Sequence, residues 1–170
     1  MPLTTILSGG LGTGVGGKVL QVKRTESSST ISSSSTIPYD DTDPTSSEGV
    51  EILSLSFTPI SATADLHLFF TIFANENANV GDRIALPVFK GTTLIGVGYQ
   101  NATYGSSSTN WIVNNFSIKH SPASTSAATY SVRGGVNAGT FESLGSMTYM
   151  ENAKYGANIV NSMTIMEIEP

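Results

Sequence analysis

The stretch Asp65-Leu66-His67-Leu68-Phe69-Phe70-Thr71-Ile72-Phe73-Ala74 decides the architecture. Leu66, Leu68, Phe70 and Ile72 alternate with His67, Phe69, Thr71 and Phe73, a period of two that places successive side chains on opposite faces of a strand. One face is wholly apolar and the other half apolar, so the segment is expected to be a central strand buried on both sides. Upstream, Leu53, Leu55 and Phe57 alternate with Ser54 and Ser56 until Pro59 closes the run, and Lys18 to Lys23 alternates as well. Downstream, candidate strands occupy Arg83 to Lys90, Thr93 to Tyr99, Trp111 to Lys119, Thr129 to Arg133 and Ser162 to Ile168. Turn chemistry separates them at Asn79-Val80-Gly81-Asp82, Lys90-Gly91, Tyr104 to Ser108, Ser121-Pro122, Gly134-Gly135 and Asn137-Ala138-Gly139. Nothing from Val50 onward has a helical period with caps. The pattern predicts an all-β fold, an antiparallel β-sandwich of the jelly-roll kind.

Two stretches stand apart from the strand pattern. Residues 1–17 form a Gly-rich arm, SGGLGTGVGG after a short apolar start, and residues 18–170 form the expected jelly-roll domain. Ser27 to Glu48 is rich in Ser and Thr and then acidic, which fits disorder. Ile31, Ile37 and Tyr39 also keep the odd spacing of an edge strand, so both descriptions stand at this point.

Composition narrows the function classes. The chain has 170 residues, 8 Lys and Arg against 13 Asp and Glu, a net charge of -5, and only 12% charged residues, while 24 serines and 20 threonines wet its surface. The basic residues are scattered singly, which argues against a nucleic-acid partner. No apolar run reaches the roughly 20 residues of a spanning helix, so no membrane partner is expected. With no cysteine, disulfides, thiolate metal sites and thiol nucleophiles are all ruled out.

The motifs that resemble chemistry fail on their own terms. Gly12 to Lys18 satisfies G-x-x-x-x-G-K, but Val19 stands where a magnesium-binding hydroxyl belongs, and an alternating strand follows where a helix is required. Asp40, Asp41, Asp43 and Glu48 are dense enough to suggest calcium, yet counting from Asp41 places Ser46 where the loop needs Gly and Ile52 where it needs Glu. His67 and His120 sit in strands, and no serine has a nucleophile-elbow context. Trp111 and Tyr99, Tyr104, Tyr130, Tyr149 and Tyr155 fit core and interface anchors better than a sugar platform. A non-enzymatic protein with no cofactor and no metal is expected.

The strand Gly17-Lys18-Val19-Leu20-Gln21-Val22, the unit from Phe57-Thr58-Pro59 to Asp65, and the close Ser162-Met163-Thr164-Ile165-Met166-Glu167-Ile168 together resemble a family of tailed-bacteriophage structural domains, over about residues 17–170. The resemblance implies a compact jelly roll, similar to C1q and tumour-necrosis-factor heads, that assembles as a homotrimer on the virion as a fibre tip or capsid decoration. Most such domains end long fibres, whereas this chain starts at Met1 with a short arm. The expected role is therefore a decoration or cement protein on the surface of the phage head, fixed to the major capsid protein or another virion protein. The alternative is a receptor-binding tail-fibre tip that touches a host glycan with turns such as Tyr104 to Thr109. A trimer also agrees with the apolar surplus of the central strand, since obligate interfaces resemble a core cut in half.

Leu3, Ile6, Leu7 and Leu11 are the candidate partner-binding anchors of the arm, too few for a core and set among glycines that allow close backbone approach. Deleting residues 2–16 is expected to leave folding and assembly intact while lowering attachment to particles. Occupancy of the truncated protein on purified capsids checks this, and unchanged occupancy would move the attachment site elsewhere.

Overall fold

The computed structural model describes residues 17–77, 83–101, 112–144 and 158–169. Among them there is no helix, and ten strands form: β1 (Lys18–Ser27), β2 (Ile31–Ser33), β3 (Val50–Phe57), β4 (Asp65–Asn77), β5 (Arg83–Lys90), β6 (Thr93–Asn101), β7 (Ile112–His120), β8 (Ala128–Val136), β9 (Thr140–Ser143) and β10 (Asn161–Glu169). One rule generates most of the pairing: each strand lies antiparallel to the one whose number completes eleven, β1 to β10, β2 to β9, β3 to β8, β4 to β7 and β5 to β6. The chain is one long ribbon doubled back at the β5–β6 turn. Gly91 has φ +59 as the first residue of that two-residue turn, the position a type II′ hairpin reserves for glycine, and its N–H donates to the Thr129 carbonyl at 2.8 Å.

Rolling the ribbon up creates the remaining pairs. β4 meets β10 and β9, and β5 meets β8, which gives a six-stranded sheet A (β1, β2, β4, β7, β9, β10) and a four-stranded sheet B in the order β3-β8-β5-β6. With β1–β2 and β9–β10 each taken as one interrupted strand, the nesting is that of an eight-position jelly roll. Leu66, Leu68, Phe70, Ile72, Met163 and Ile165 from sheet A pack against Ile52, Ile84, Leu86, Val88, Val132 and Val136 from sheet B. Phe70 stacks on Phe116, its partner in the β4–β7 register, with ring centroids 4.7 Å apart.

The interruption of β9–β10 leaves a gap that side chains fill. β10 pairs with β4 as far as Thr71 and β9 takes over at Ala74, so the backbone of Phe73 has no ladder partner on that side. Asn161 and Ser143, both fully buried, substitute for it. The Phe73 N–H donates to Asn161 Oδ1 at 2.9 Å, Ser143 Oγ donates to the Phe73 carbonyl at 2.7 Å, and Asn161 Nδ2 donates to Ser143 Oγ at 2.7 Å. Every group is satisfied, as buried polar groups must be.

Several expectations are corrected here. The central strand is buried on one face only, because Leu66, Leu68, Phe70 and Ile72 face sheet B while Phe69 on the other face is 44% exposed. Gly134 and Gly135 form no turn and lie inside β8, where a Cβ at Gly134 would stand 2.2 Å from Phe141 and one at Gly135 would stand 2.6 Å from Ile37. Neighbouring side chains occupy the space that any larger residue would need. The segment after Ser27 pairs only over Ile31–Ser33, and its later part crosses the outer face of sheet B as an ordered loop. Buried Ile37 plugs that loop, its N–H donating to the Val136 carbonyl at 3.0 Å, and the Arg133 guanidinium holds the carbonyls of Glu48 and Gly49 at 2.7 and 2.8 Å. β9 carries no signal in the strand pattern.

Asn161→Ala removes the acceptor of the Phe73 N–H and one donor to Ser143. It is expected to lower stability by about 1–3 kcal/mol, seen as a reduced urea midpoint at unchanged slope. An unmoved midpoint would show that the ladder closes without these side chains.

Candidate functional site

The arm anchors Leu3, Ile6, Leu7 and Leu11 lie outside the described residues, as do Trp111, Tyr104, Tyr149, Tyr155 and the turn from Tyr104 to Thr109. What the structure does bring together are the three sequence signatures. Glu167, with no exposed surface, sits on β10 facing the β3–β4 turn. Gln21 Nε2 on β1 donates to its carboxylate at 2.6 Å and to the Thr58 carbonyl at 2.8 Å, and the N–H groups of Ile60 and Ser61 each donate to Glu167 Oε1 at 2.8 Å. The opening strand, the Thr-Pro unit and the closing strand therefore meet at one carboxylate. Burial alone would raise its carboxyl, but the hydrogen bonds from Gln21, Ile60 and Ser61 to the charged form outweigh burial and hold it below the ordinary glutamate value.

The outer face of sheet A is the larger feature. Cross-strand register builds rows across β1, β10, β4 and β7: Val22, Met166, His67 and Lys119; then Arg24, Thr164, Phe69 and Ser117; then Glu26, Ser162, Thr71 and Asn115. Val22 is 53% exposed, and Val19, Phe69 and Val113 on the same face are exposed to nearly the same degree. The charges at its margins are neutralised within the chain, Arg24 by Glu26 at 2.6 Å and Lys119 by Asp65 at 2.7 Å. Lys119, and with it the Ser121 hydroxyl, holds the Asp65 carboxyl below its ordinary value. The result is an apolar and hydroxyl-bearing strip whose marginal charges are paired within the chain.

A second exposed cluster lies on the outer face of sheet B. Tyr39 and Tyr99 have ring centroids 6.5 Å apart, and the Arg83 guanidinium carbon stands 3.8 Å over the Tyr39 ring. Both tyrosines are more than half exposed. Tyr39 was missed as a site residue because its spacing reads as edge strand. Tyr130, in contrast, is a core residue with no exposed surface.

The other candidates separate. Asp40 Oδ1 accepts from the Thr42 N–H at 2.8 Å and from the Thr42 hydroxyl at 2.6 Å, which lowers its carboxyl below the usual range, and Glu48 Oε2 accepts from the Thr45 N–H at 2.8 Å. These carboxylates are occupied in shaping their own turn. Among the described residues no three His, Cys, Asp or Glu converge to hold a metal ion, and no helix is long and apolar enough to cross a membrane. His67 lies on the outer face of sheet A in register with Lys119, while His120 pairs with Leu66 and points inward.

No protein-family model matches this chain, and no curated protein matches it. Among solved structures it is similar to a chain in a structure of infectious bursal disease virus, Gx strain, at 10% identity and a TM-score of 0.30, over 89% of this chain. This chain spans 37% of that one. A likeness of that size decides neither fold nor function.

The Glu167 cluster generates a pH prediction. Because its carboxyl ionises at lower pH in the folded chain, the stabilisation is complete above the unfolded value of about 4.3 and is lost as the pH falls through the folded value. Glu167→Gln should cost about 1–3 kcal/mol at neutral pH, with the gap to the unaltered protein narrowing below pH about 4. Thermal melts across pH 2–8 check this, and a pH-independent gap would contradict it.

Proposed function

We propose that the chain is a non-enzymatic structural protein of a phage particle, a homotrimeric jelly roll that decorates or cements the head or projects from it. The observation that carries this reading is the outer face of sheet A. A sheet face with Val19, Val22, Phe69 and Val113 open to water, and with the charges at its margins paired internally, is suited to burial against another protein. A second copy is the simplest occupant. The motif resemblance supports the virion setting, and the jelly roll agrees with a structural part. Attachment to the major capsid protein or another virion protein is assigned to the arm.

A second role rests on a separate observation. The exposed Tyr39–Tyr99 pair beside Arg83 is an aromatic cluster of the kind that can pack against sugars, which favours the receptor-binding tip of a tail fibre recognising a host glycan. Location separates the two: a head protein is found around the whole shell, a tip only at the tail. Turnover of a glycan would overturn both.

At micromolar concentration, sedimentation equilibrium is expected to give three times the mass of one chain. Combining Val22→Asp with Phe69→Asp should weaken assembly at least about tenfold, equivalent to about 1.4 kcal/mol, without changing the far-ultraviolet circular dichroism. A stable monomer of the unaltered protein would overturn the trimer.

A further inference from the structure

One pole of the sandwich, where β3, β5 and β7 end and β4 and β8 begin, gathers groups that the assembly surface does not use. Tyr130 on β8 is fully buried, its ring edge-on to Phe57 at 6.5 Å and to His120 at 5.9 Å. Its hydroxyl has no hydrogen-bond partner, and neither has the buried Nε2 of His120. Two orphaned polar atoms on touching rings are unusual, because native interiors leave few such groups unpaired. Lys90 on β5 stands opposite Tyr130 in the register, so its side chain leaves the strand on the same face. Its ammonium reaches the Pro122 carbonyl at only 3.4 Å, beyond the usual range for such a bond. Among the described residues no carboxylate pairs with Lys90, and the nearby Asp65 is already held by Lys119 and the Ser121 hydroxyl.

We propose that Lys90, His120 and Tyr130 form a binding site for one monovalent anion, a carboxylate or a halide, at this pole. Tyr130 is the floor, and the partly exposed Lys90 and His120 are the mouth. The phenolic O–H, an imidazole N–H and the ammonium are three possible donors carried by three strands whose ends meet at this pole. A water molecule would satisfy the two orphaned atoms, whereas an anion would satisfy them and also pair with the partly exposed ammonium. Burial, and then the charge of Lys90, hold His120 below the usual histidine range, and a bound anion would select the tautomer with its proton on Nε2. Burial pushes the Tyr130 hydroxyl up to about 12, so it keeps its proton. The site is independent of how copies assemble, since its residues point between the sheets.

Crystals of the full chain grown in sodium bromide test this. The expected result is an anomalous bromide peak within hydrogen-bonding reach of Tyr130 Oη, His120 Nε2 and Lys90 Nζ. In solution, acetate should shift the His120 ring signals saturably and compete with bromide. Tyr130→Phe, which keeps the ring, and Lys90→Met should each weaken acetate binding at least tenfold while circular dichroism and cooperative melting persist. A water molecule at that position in bromide crystals, or acetate binding undiminished in both variants, would overturn the assignment.

Discussion

A carboxylate with no exposed surface holds the ends of the ribbon together. Glu167 lies near the end of the last strand, Gln21 near the start of the first, and the amides of Ile60 and Ser61 on the turn that carries the chain from one sheet to the other. A buried charge is tolerated only when its lone pairs are filled, so the three segments must arrive together or the carboxylate is left exposed to a large desolvation penalty. In a nested ribbon the outermost pair closes the longest loop, and β1 with β10 is that pair. The amides of Ile60 and Ser61 on Glu167, and the Asn161–Ser143 junction on Phe73, join strands to segments other than their ribbon partners.

Much of this fold was legible in the residues. Leu66, Leu68, Phe70 and Ile72 marked β4 because the inner face of a sandwich strand has a strict period of two. Lys90-Gly91 marked the doubling point because only glycine is at ease in that conformation. What periodicity could not reveal was whether an apolar outward residue is buried by its own chain. Phe69 and Phe73 looked like core, and Phe69 proved to face solvent. The glycine pair 134–135 looked like a turn because the side chains that require it, Phe141 on the next strand and the distant Ile52 and Ile37, are placed there only by the fold. β9 is four residues long with Phe141 as its sole large apolar residue, too short for a period to show.

The candidate sites were less legible for the same reason. Gln21, Thr58 and Glu167 were visible as parts of a family-like pattern, yet the hydrogen bond between Gln21 and Glu167 spans 146 positions and no local rule discloses it. Tyr39 joins an exposed aromatic cluster only by meeting Tyr99 and Arg83 from sheet B. The two histidines read alike as strand residues, whereas the fold directs His67 outward and His120 inward. The apolar strip bordered by self-neutralised charge belongs to rows running across four strands and exists only once the register is set.

The proposed role puts the outer face of sheet A against another protein, with the jelly roll as its support. Reconstruction by cryo-electron microscopy of particles purified from the source of this gene tests that most directly. The expected result is three-fold density on the head into which the jelly roll fits with Val22, Phe69 and Val113 covered by protein. Particles lacking the chain, or carrying it as isolated single copies with that face open to solvent, would contradict the account.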